Sequence, residues 1–463
     1  MSNNATIPKS NFMEITINLN QIKRVHFIGI GGIGISAIAR MFLLEGKTVS
    51  GSDQGPSLAT TELKKFGAKI KFKQVATNIP KNCELVIYTK AISETNPELI
   101  EARQRGIPAL TYPQALGLVS ASKYTVAVAG THGKTTTTAM LAQIAIAAKL
   151  DPTVIVGSFL LNPGQKTRTN FIAGKSKLFI AEACEYKRSF LELAPTIVVI
   201  TNIDADHLDY YKDLAAIQTA FGELVAKIPV TGFLVCNPND SKLKSVVKKA
   251  KCRVIDYTRQ STRGLKLLTP GAHNLLDAQA ALAVAEILKV KKAVVQVSLN
   301  KFPGTWRRFE YKGQLKSKAT LYDDYAHHPT EIKATILGAR ELMNPPAGGK
   351  KLKGRLIVAF QPHLYSRTKA LLKEFAEALA LADEVLIAKI YASREAFDPS
   401  VKEIDLVDLI MKKKTPARFI DGFKLLEKTI LAETKKGDLV IVMGAGDMST
   451  NLKLKNQNGK LQI

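Results

Sequence analysis

The sequence is poor in cysteine and tryptophan and contains no long apolar run. It has one tryptophan and four cysteines, Cys83, Cys184, Cys236 and Cys252. The cysteines form no C-x-x-C pair and stand at no zinc-ligand spacing from the histidines, so we expect reduced, mostly buried thiols. The most apolar stretches, such as residues 197–200, have only the length of a strand, which excludes a membrane-spanning helix. The first 20 residues lack a basic start followed by an apolar core, so we expect no secretion signal and a cytoplasmic protein.

Acidic residues are scarce relative to basic ones. The 40 aspartates and glutamates compare with 66 lysines and arginines, which gives a formal net charge of +26. Such a charge would suit a nucleic acid, an acidic membrane or an anionic substrate. The lysines are dispersed, however, and small clusters such as residues 248–251 and 412–414 have no interleaved aromatic residues. We therefore expect a solvated basic surface, with no nucleic-acid partner and no membrane partner.

Length and periodicity indicate an α/β protein of three domains. The 463 residues exceed one ordinary domain, and 46% hydrophobic with 23% charged residues is typical of globular chains with full cores. Apolar strands alternate with helical patterns, which favours parallel sheets, and we predict domains at residues 1–121, 122–310 and 311–463. Residues 345–349 are predicted as an exposed loop. Predicted strands lie at 24–29, 47–51, 85–88, 124–129, 178–181, 197–201, 232–235, 320–322, 356–360, 384–387 and 439–443, and predicted helices at 33–45, 97–105, 275–288, 330–342 and 369–380.

The strongest motif is a glycine turn between a predicted strand and a helical segment. Its residues are Gly130-Thr131-His132-Gly133-Lys134-Thr135. Backbone N–H groups of such a turn can face phosphates at a helix N-terminus, Lys134 can bridge the β and γ phosphates, and the Thr135 hydroxyl can ligate Mg²⁺. Only two residues separate the glycines, so the turn lacks some positions of a full G-x-x-x-x-G-K-[ST] loop. The strand before it and the helix after it favour a nucleotide site over a chance turn.

A second glycine motif, Gly29-Ile30-Gly31-Gly32-Ile33-Gly34, follows the first predicted strand, and Asp53 ends the second. Taken alone, this pattern is the dinucleotide fingerprint, with glycines for close phosphate approach and an acid for a ribose hydroxyl, and it would indicate an NAD-dependent dehydrogenase. Any diphosphate, including that of UDP, would satisfy the same backbone donors. The identity of this nucleotide stays open at this point.

Acids and a histidine follow two strands of the middle third. Glu182 ends one predicted strand, and His207 follows another. The carboxyl ends of parallel strands are where open α/β sheets bind ligands, and these two side chains together with phosphate oxygens could hold one or two Mg²⁺ ions. Either residue alone is more commonly a surface carboxylate or a core imidazole. The phosphate loop in the same module favours the metal site.

Eight segments in order along the chain resemble the Mur ligase family, and together they cover essentially all of it. The glycine motif with DDYAHHP and the histidine of GTHGKT look like the branch that acts on UDP-N-acetylmuramate itself. The segments are HFIGIGGIGISAIA at 26–39, GTHGKTTTT at 130–138, EACEYKRSF at 182–190, TNIDADHLDYY at 201–211, PGAHNLLDAQAA at 270–281, RRFE at 307–310, DDYAHHPTEI at 323–332 and FQPHLYSRT at 360–368.

The resemblance implies a Rossmann-like N-terminal domain for a UDP sugar, a central P-loop ATPase domain and a Rossmann-like C-terminal domain for an amino acid. The implied reaction joins L-alanine to the muramoyl carboxylate of UDP-N-acetylmuramate with ATP and Mg²⁺, and we expect a monomer or homodimer. The implied residues are Gly29, Gly31, Gly32, Gly34, Ser52 and Asp53 for the UDP sugar; Gly130, Thr131, His132, Gly133, Lys134, Thr135, Thr136, Asn274, Arg308 and Asp324 for ATP; Thr135, Glu182 and His207 for Mg²⁺; and Tyr325, His327, His328, His363 and Arg367 for the acceptor end. Those expected to act in catalysis are Lys134, Glu182, His207, Arg308, His327, His328 and Arg367.

Two positions depart from the family pattern. Asp277 stands where the family commonly has asparagine, which puts a second amide contact to adenine in doubt, and Leu364 stands where arginine is frequent. The expected chemistry begins with phosphorylation of the carboxylate, because a carboxylate is a poor electrophile, and an amine then attacks the acyl phosphate. His327 or His328 is the candidate general base by residue type and position.

Three other functions stay open. The nearest is a ligase of the same branch that attaches a ready-made murein tripeptide and differs only in its acceptor. An NAD-dependent dehydrogenase would explain residues 29–34 and Asp53 but would leave the phosphate loop without a role. A nucleotide-gated nucleic-acid-binding protein would explain the net charge but has no need of DDYAHHP or FQPH.

Overall fold

The computed structural model of the chain describes residues 17–161, 168–208, 210–345, 351–393 and 395–454. These residues form two compact units, one that ends at Val119 and one that begins at Ser120. The first unit contains one β-sheet and the second contains two. Within the described ranges, no helix combines the length and the apolar character needed to cross a membrane.

The first unit is built on a five-stranded parallel sheet with the strand order β3-β2-β1-β4-β5. The central strand β1 is buried from its second residue and pairs with β2 and β4, so the switch in strand order lies next to the loop that follows β1. The strands are β1 (Arg24–Ile28), β2 (Thr48–Ser52), β3 (Lys69–Lys71), β4 (Leu85–Tyr88) and β5 (Ala109–Thr111), and the helices are α1 (Ile33–Leu44), α2 (Leu58–Lys65), α3 (Pro97–Gln104) and α4 (Tyr112–Ala121).

The second unit begins with a seven-stranded sheet in the order β12-β11-β10-β6-β9-β7-β8. Its strand β6 lies between β9 and β10, and the alanine-rich helix α8 packs beside α5 over this strand, because small side chains allow close approach of the two helices. The strands are β6 (Tyr124–Ala129), β7 (Thr153–Leu161), β8 (Arg168–Ile172), β9 (Leu178–Glu182), β10 (Ile197–Ile200), β11 (Phe233–Cys236) and β12 (Arg253–Asp256), and the helices are α5 (Lys134–Ala147), α6 (Leu214–Ala226), α7 (Lys244–Val247), α8 (Ala272–Ile287) and α9 (Lys292–Asn300).

A six-stranded sheet in the order β13-β14-β18-β15-β16-β17 completes the second unit. Strands β15 and β18 are buried along their whole length and carry the core. The strands are β13 (Glu310–Gln314), β14 (Thr320–Asp324), β15 (Leu356–Phe360), β16 (Glu384–Ile387), β17 (Ala417–Phe419) and β18 (Leu439–Met443), and the helices are α10 (Pro329–Met343), α11 (Tyr365–Ala370), α12 (Leu372–Leu379), α13 (Glu403–Lys412), α14 (Phe423–Glu433) and α15 (Met448–Asn451).

The predicted α/β fold is confirmed, with corrections of detail. The strands pair in parallel, as predicted, except that the edge strands β8 and β13 are antiparallel to their neighbours. The predicted helix 369–380 is two helices, since Leu371 leaves the helical conformation between them. All four cysteines are free, as expected. Only Cys236 among the four is buried, so the expectation that most of these thiols are buried is wrong. Residues 346–349 of the predicted loop at 345–349 lie outside the described residues.

Candidate functional site

The turn between β6 and α5 has a backbone that requires glycine. Gly130 and Gly133 have φ values of +133° and +82°, in the region that side chains disfavour. A Cβ at Gly130 would collide with the Thr201 hydroxyl, and one at Gly133 with the Asp277 carboxyl group. The amide of His132 also donates to Asn202 Oδ1 at 2.9 Å. The strand, the tight turn and the helix therefore hold backbone donors in a fixed arrangement that suits phosphate.

Lys134 begins α5 and lies folded over this turn. Its Nζ donates to the carbonyl oxygens of Gly130 at 2.5 Å and Thr131 at 3.0 Å, and it lies 3.0 Å from Glu185 Oε2. Burial works against the charged amine, but the negative charge of Glu185 raises the pKa of Lys134 overall. The ammonium group is thus a fixed cation over the phosphate turn.

Oxygen and nitrogen donors collect at the same end of the sheet. The hydroxyl of Thr135 donates to the carboxylate of Glu182 and lies 3.0 Å from its Oε1 and 3.1 Å from its Oε2. The amide of Gly157 donates to Glu182 Oε2 at 2.8 Å. His207 Nε2 lies 3.7 Å from Glu185 Oε1. A hydroxyl, two carboxylates and an imidazole beside a phosphate turn fit a hard divalent cation that keeps several waters. Glu185 was not among the predicted ligands, although it stands three residues after Glu182 in the same motif.

A cavity of about 450 Å³ opens beside the phosphate turn. Asn274 lies in its wall, where its Nδ2 donates to the Pro270 carbonyl at 2.7 Å. Of the residues predicted for ATP, those in the cavity wall are His132, Gly133, Thr135, Thr136, Asn274, Arg308 and Asp324. The structure therefore gathers residues from four separate motifs around one space of nucleotide size.

Arg308 and Asp324 lie on the far wall of this cavity. The Arg308 guanidinium lies 5.4 Å from the centre of the Tyr325 ring and 3.7 Å from Glu331 Oε1. Asp324 accepts the amides of Phe309 and Ala326, each at 2.7 Å, and burial raises its pKa to about 6. Asp324 therefore holds the backbone beside Arg308 as well as lining the cavity.

Asp277, the first departure from the family pattern, lies beneath the phosphate turn. It is 5% exposed, accepts a hydrogen bond from the Thr137 hydroxyl at 3.1 Å and lines the large cavity. Burial raises the pKa of Asp277 to about 8. A protonated carboxyl group can donate as well as accept a hydrogen bond, as an amide does.

Most of the predicted acceptor residues lie together. Arg367 Nη2 donates to Asp206 Oδ1 at 2.8 Å, and its Nη1 lies 3.3 Å from His363 Nδ1. The rings of His327 and His363 are 6.0 Å apart. Arg367, Asp206 and His207 line a second cavity of about 200 Å³ together with Leu364, which has a φ of +72°. The sequence analysis did not predict Asp206, whose carboxylate already accepts a hydrogen bond from one guanidinium nitrogen of Arg367.

The two candidate bases differ in their surroundings. Burial lowers the pKa of His327 to about 4, so this imidazole is neutral at neutral pH and is a weak base. His328 caps α10: its Nδ1 accepts the amide of Thr330 at 3.3 Å, and its Nε2 faces the Ala205 carbonyl at 3.2 Å. Both nitrogens of His328 therefore have partners. The base role of either residue stays a prediction.

In the first unit, the glycine loop after β1 is tied to Asp53. The amides of Gly31 and Gln54 donate to its two carboxylate oxygens at 2.7 and 2.8 Å. Gly29 has a φ of +76°, Gly32 caps α1, and a Cβ at Gly34 would collide with the ring of Tyr112. The loop is thus shaped for close approach of a ligand to the backbone.

A buried polar network lies in the same unit. The Ser52 hydroxyl donates to Glu98 Oε2 at 2.7 Å, and His26 Nε2 lies 3.0 Å from the same oxygen. Asn78 donates to the other carboxylate oxygen at 2.6 Å. The hydroxyl of Ser52 is therefore committed to a buried partner, and its predicted role with the UDP sugar has no support from the geometry.

The fold and the second unit's site define a class of protein. A phosphate turn with its lysine, a hydroxyl–carboxylate pair and a nucleotide-sized cavity between two α/β sheets are typical of an enzyme that transfers phosphoryl groups. Three family models match the chain, described as Mur ligase family, catalytic domain (residues 24–124), Mur ligase middle domain (128–299) and Mur ligase, glutamate ligase domain (307–446). The chain belongs to the Mur ligase family.

Individual relatives are similar over nearly the full length. A UDP-N-acetylmuramate–L-alanine ligase of Clostridium kluyveri is 40% identical over 453 residues, which cover 92% of this chain and 96% of the relative. The crystal structure of the UDP-N-acetylmuramate–alanine ligase of Thermotoga maritima is similar with a TM-score of 0.74 at 28% identity, and covers 92% of this chain and 96% of that one. A murein peptide ligase of Psychrobacter arcticus has a TM-score of 0.65 at 24% identity over the same shares, which shows the fold alone.

Proposed function

We propose that this chain is an ATP-dependent ligase that joins L-alanine to the muramoyl carboxylate of UDP-N-acetylmuramate. The observation that carries the proposal is the placement of Lys134 and the Thr135–Glu182 pair at one edge of the cavity that Asn274 and Arg308 line. Similarity over nearly the whole chain to ligases of this name supports the choice of substrates. The predicted dehydrogenase alternative does not fit the Mur ligase family.

The proposed reaction has two steps. An oxygen of the muramoyl carboxylate attacks the γ phosphorus of ATP, the bond to the bridging oxygen breaks, and ADP leaves an acyl phosphate behind. The ammonium group of L-alanine first loses a proton to solvent or a base. The resulting amine attacks the acyl carbon, the bond from that carbon to the phosphate oxygen breaks, and the departing phosphate takes the second proton as the amide forms. Lys134 neutralises charge on the transferring phosphoryl group, since its ammonium is held over the turn by Glu185 and by two loop carbonyls.

Thr135, Glu182 and His207, with Glu185 beside them, would hold a magnesium ion. When bound, such an ion supplies charge neutralisation at the phosphate oxygens. The protein's part is to fix these donors, which it does through the amide of Gly157 and the hydrogen bonds of Thr135 to Glu182. Arg308, which Asp324 and Tyr325 orient, would stabilise the phosphates from the opposite wall.

A small acceptor fits the second cavity. Its volume of about 200 Å³ would hold an amino acid with one methyl group, with Arg367 toward the carboxylate and Leu364 toward the methyl group. The murein tripeptide is a poorer match for a space of that size. The UDP-sugar role of the loop at Gly31 to Gly34, the domain boundaries at 121/122 and 310/311, the monomeric or homodimeric state and the cytoplasmic location stay predictions.

The test is ADP release measured with UDP-N-acetylmuramate, L-alanine and ATP together, with the product identified by mass spectrometry. We expect ADP in equal amount to a product heavier than the nucleotide sugar by one alanine residue. Each reaction that lacks one of the substrates serves as a control. ADP release that does not depend on the nucleotide sugar, or no release at all, would overturn the proposal.

A further inference from the structure

His132 points away from the phosphate turn toward the neighbouring sheet. Its Nδ1 lies 3.2 Å from Glu331 Oε1 and its Nε2 lies 3.4 Å from Asp204 Oδ2. Its ring packs at a tilt against that of His328, with 4.9 Å between the ring centres. Burial works against a charged imidazole, but the nearby carboxylates of Asp204 and Glu331 raise the pKa of His132 to about 9. The imidazolium is therefore clamped between two carboxylates, one following β10 and one on α10.

Glu331 joins three functional segments through one carboxylate. Besides His132, its Oε2 accepts the backbone amide of His327 at 3.1 Å, and its Oε1 lies 3.7 Å from Arg308 Nη1. Only 12% of the Glu331 side chain is exposed, and burial opposes its ionisation, but the interactions with His327, His132 and Arg308 hold the pKa of Glu331 well below its usual range. The carboxylate of Glu331 thus contacts the phosphate turn at His132, the segment before α10 at His327, and Arg308 in the cavity wall.

Asp204 anchors the same end of α10. Its Oδ2 accepts the Thr330 hydroxyl at 2.7 Å, and its Oδ1 accepts Lys242 Nζ at 2.8 Å. Asp204 is tied back to the phosphate turn as well, because its amide donates to the Thr131 hydroxyl at 2.8 Å. Two chains of contacts therefore link the phosphate turn to the start of α10. One runs from His132 to Glu331, and the other runs from Thr131 through Asp204 to Thr330.

A metal ion is the other occupant that these side chains suggest. Ligand atoms of His132, Asp204 and His328 lie within 4.8 Å of one another. However, His328 uses Nδ1 to accept the Thr330 amide and Nε2 to contact the Ala205 carbonyl, so it has no lone pair to offer. The cluster is better explained as a charged hydrogen-bond network.

We propose that His132 is a positioning residue that couples the nucleotide-loaded phosphate turn, through Glu331, to the first turn of α10 and the acceptor segment at His327. The side chain has two rotatable bonds, and its amide is fixed to Asn202, so the ring follows the backbone of the turn closely. Nucleotide bound to the turn then holds His327 and its neighbours in the arrangement that receives the acceptor. The kinetic consequence rests on the proposed ligase function, whereas the structural coupling does not.

The first measurement is amide hydrogen exchange of residues 327–333 with and without ATP. We expect ATP to slow exchange there in the native protein but not in His132→Gln or Glu331→Gln. Glu341→Gln is the matched control. Glu341 also lies on α10, but it accepts the amide of Gly271, just before α8, at 3.1 Å and does not contact the phosphate turn. ATP-dependent protection that survives in His132→Gln would overturn the proposal.

The second measurement is a double-mutant cycle on the rate of ligation. We expect His132→Gln and Glu331→Gln each to lower kcat about tenfold or more, with little change in ATP affinity, and the double variant to be no slower than the worse single one. If the two losses of kcat multiply in the double variant, the proposed coupling between His132 and Glu331 is wrong. If Glu331→Gln fails to fold, Glu331→Asp, shorter by one methylene, replaces it, and if His132→Gln fails to fold, His132→Asn replaces it. A native protein that shows ATP-dependent protection but no ligation would contradict the proposed function and leave the coupling intact.

Discussion

The two glycine loops follow the same strand–loop–helix pattern but differ in charge. In the first unit, the loop after β1 has an amide donor, that of Gly31, already engaged by the carboxylate of Asp53, and no lysine begins the helix. In the second unit, the loop after β6 carries Lys134 at the first position of α5. Glycines make a turn that a phosphate can approach, and the surrounding charges decide whether the turn binds a phosphate or also helps to transfer it.

The largest expected effect is a loss of ligation rate from a substitution in the loop after β6. Lys134→Ala should lower the rate of ligation by about a thousandfold, because a fixed cation at the transferring phosphoryl group is lost. Binding of UDP-N-acetylmuramate, measured by calorimetry, should stay nearly unchanged, since that site is assigned to the first unit. Lys244→Ala, an exposed lysine on α7, is the control. Loss of nucleotide-sugar binding in a folded Lys134→Ala protein would show that the assignment of the two loops is wrong.

The next effect concerns the stability of the first unit. Glu98→Ala should lower the free energy of unfolding by about 3 to 5 kcal/mol, because it leaves the buried side chains of His26 and Ser52 without their carboxylate partner and removes one of the two acceptors of Asn78. Burial raises the pKa of Glu98, but hydrogen bonds from these three partners lower it overall. The stabilisation is therefore present above the ordinary glutamate pKa and is lost as the pH falls through the lowered one.

Urea unfolding followed at several pH values measures this effect. Glu101→Ala, on the same helix and in only a 3.9 Å contact with Arg105, should change the stability by less than about 0.5 kcal/mol. Equal losses in the two variants, or a loss from Glu98→Ala that persists unchanged in acid, would contradict the network.

A smaller effect is expected at the donors of the second loop. His207→Ala should raise the Mg²⁺ concentration needed for half-maximal rate by about tenfold. Tyr210→Phe, three residues further on and 42% exposed, should leave the titration where it is. If the Mg²⁺ concentration for half-maximal rate is the same in His207→Ala as in the native protein, His207 is not a metal ligand.

The smallest effect sharpens the role of Asp53 in the first loop. Asp53→Asn should weaken nucleotide-sugar binding by roughly three- to tenfold, because one charge-assisted contact to a loop amide becomes a neutral one. If Asp53 acts through the loop, the native protein and the variant will discriminate equally against a 2′-deoxy nucleotide sugar. Discrimination that disappears in the variant would instead favour a direct contact between Asp53 and the ribose.

The sequence predicts local modules well and distant pairings poorly. The phosphate turn and the Thr135–Glu182 contact follow from a strand–loop–helix pattern and from the rule that parallel strands end at one edge. Glu331, Asp206 and Glu185 were missed as partners of His132, Arg367 and Lys134. The first two pairs are separated by 199 and 161 residues, and no local pattern marks a pairing at such distance.

Burial explains the remaining differences. Ser52 and Asp53 end a strand beside the glycine loop, where the sequence predicts ligand contacts, yet Glu98 and the Gly31 amide engage them. His328 resembles a catalytic histidine by type and position, but it caps α10. A side chain's partner depends on what the fold packs beside it, which residue type alone does not specify.

The most direct test of the proposed function compares acceptors. Turnover of UDP-N-acetylmuramate and ATP should be measured in parallel with L-alanine, glycine, L-serine and L-alanyl-D-glutamyl-diaminopimelate. We predict the fastest turnover with L-alanine, slow turnover with glycine, incomplete rejection of serine and failure of the tripeptide, because the cavity beside Arg367 is about 200 Å³ and one methyl group discriminates by only about 1 to 3 kcal/mol. Faster turnover with the tripeptide than with L-alanine would contradict the proposed acceptor and favour the tripeptide ligase.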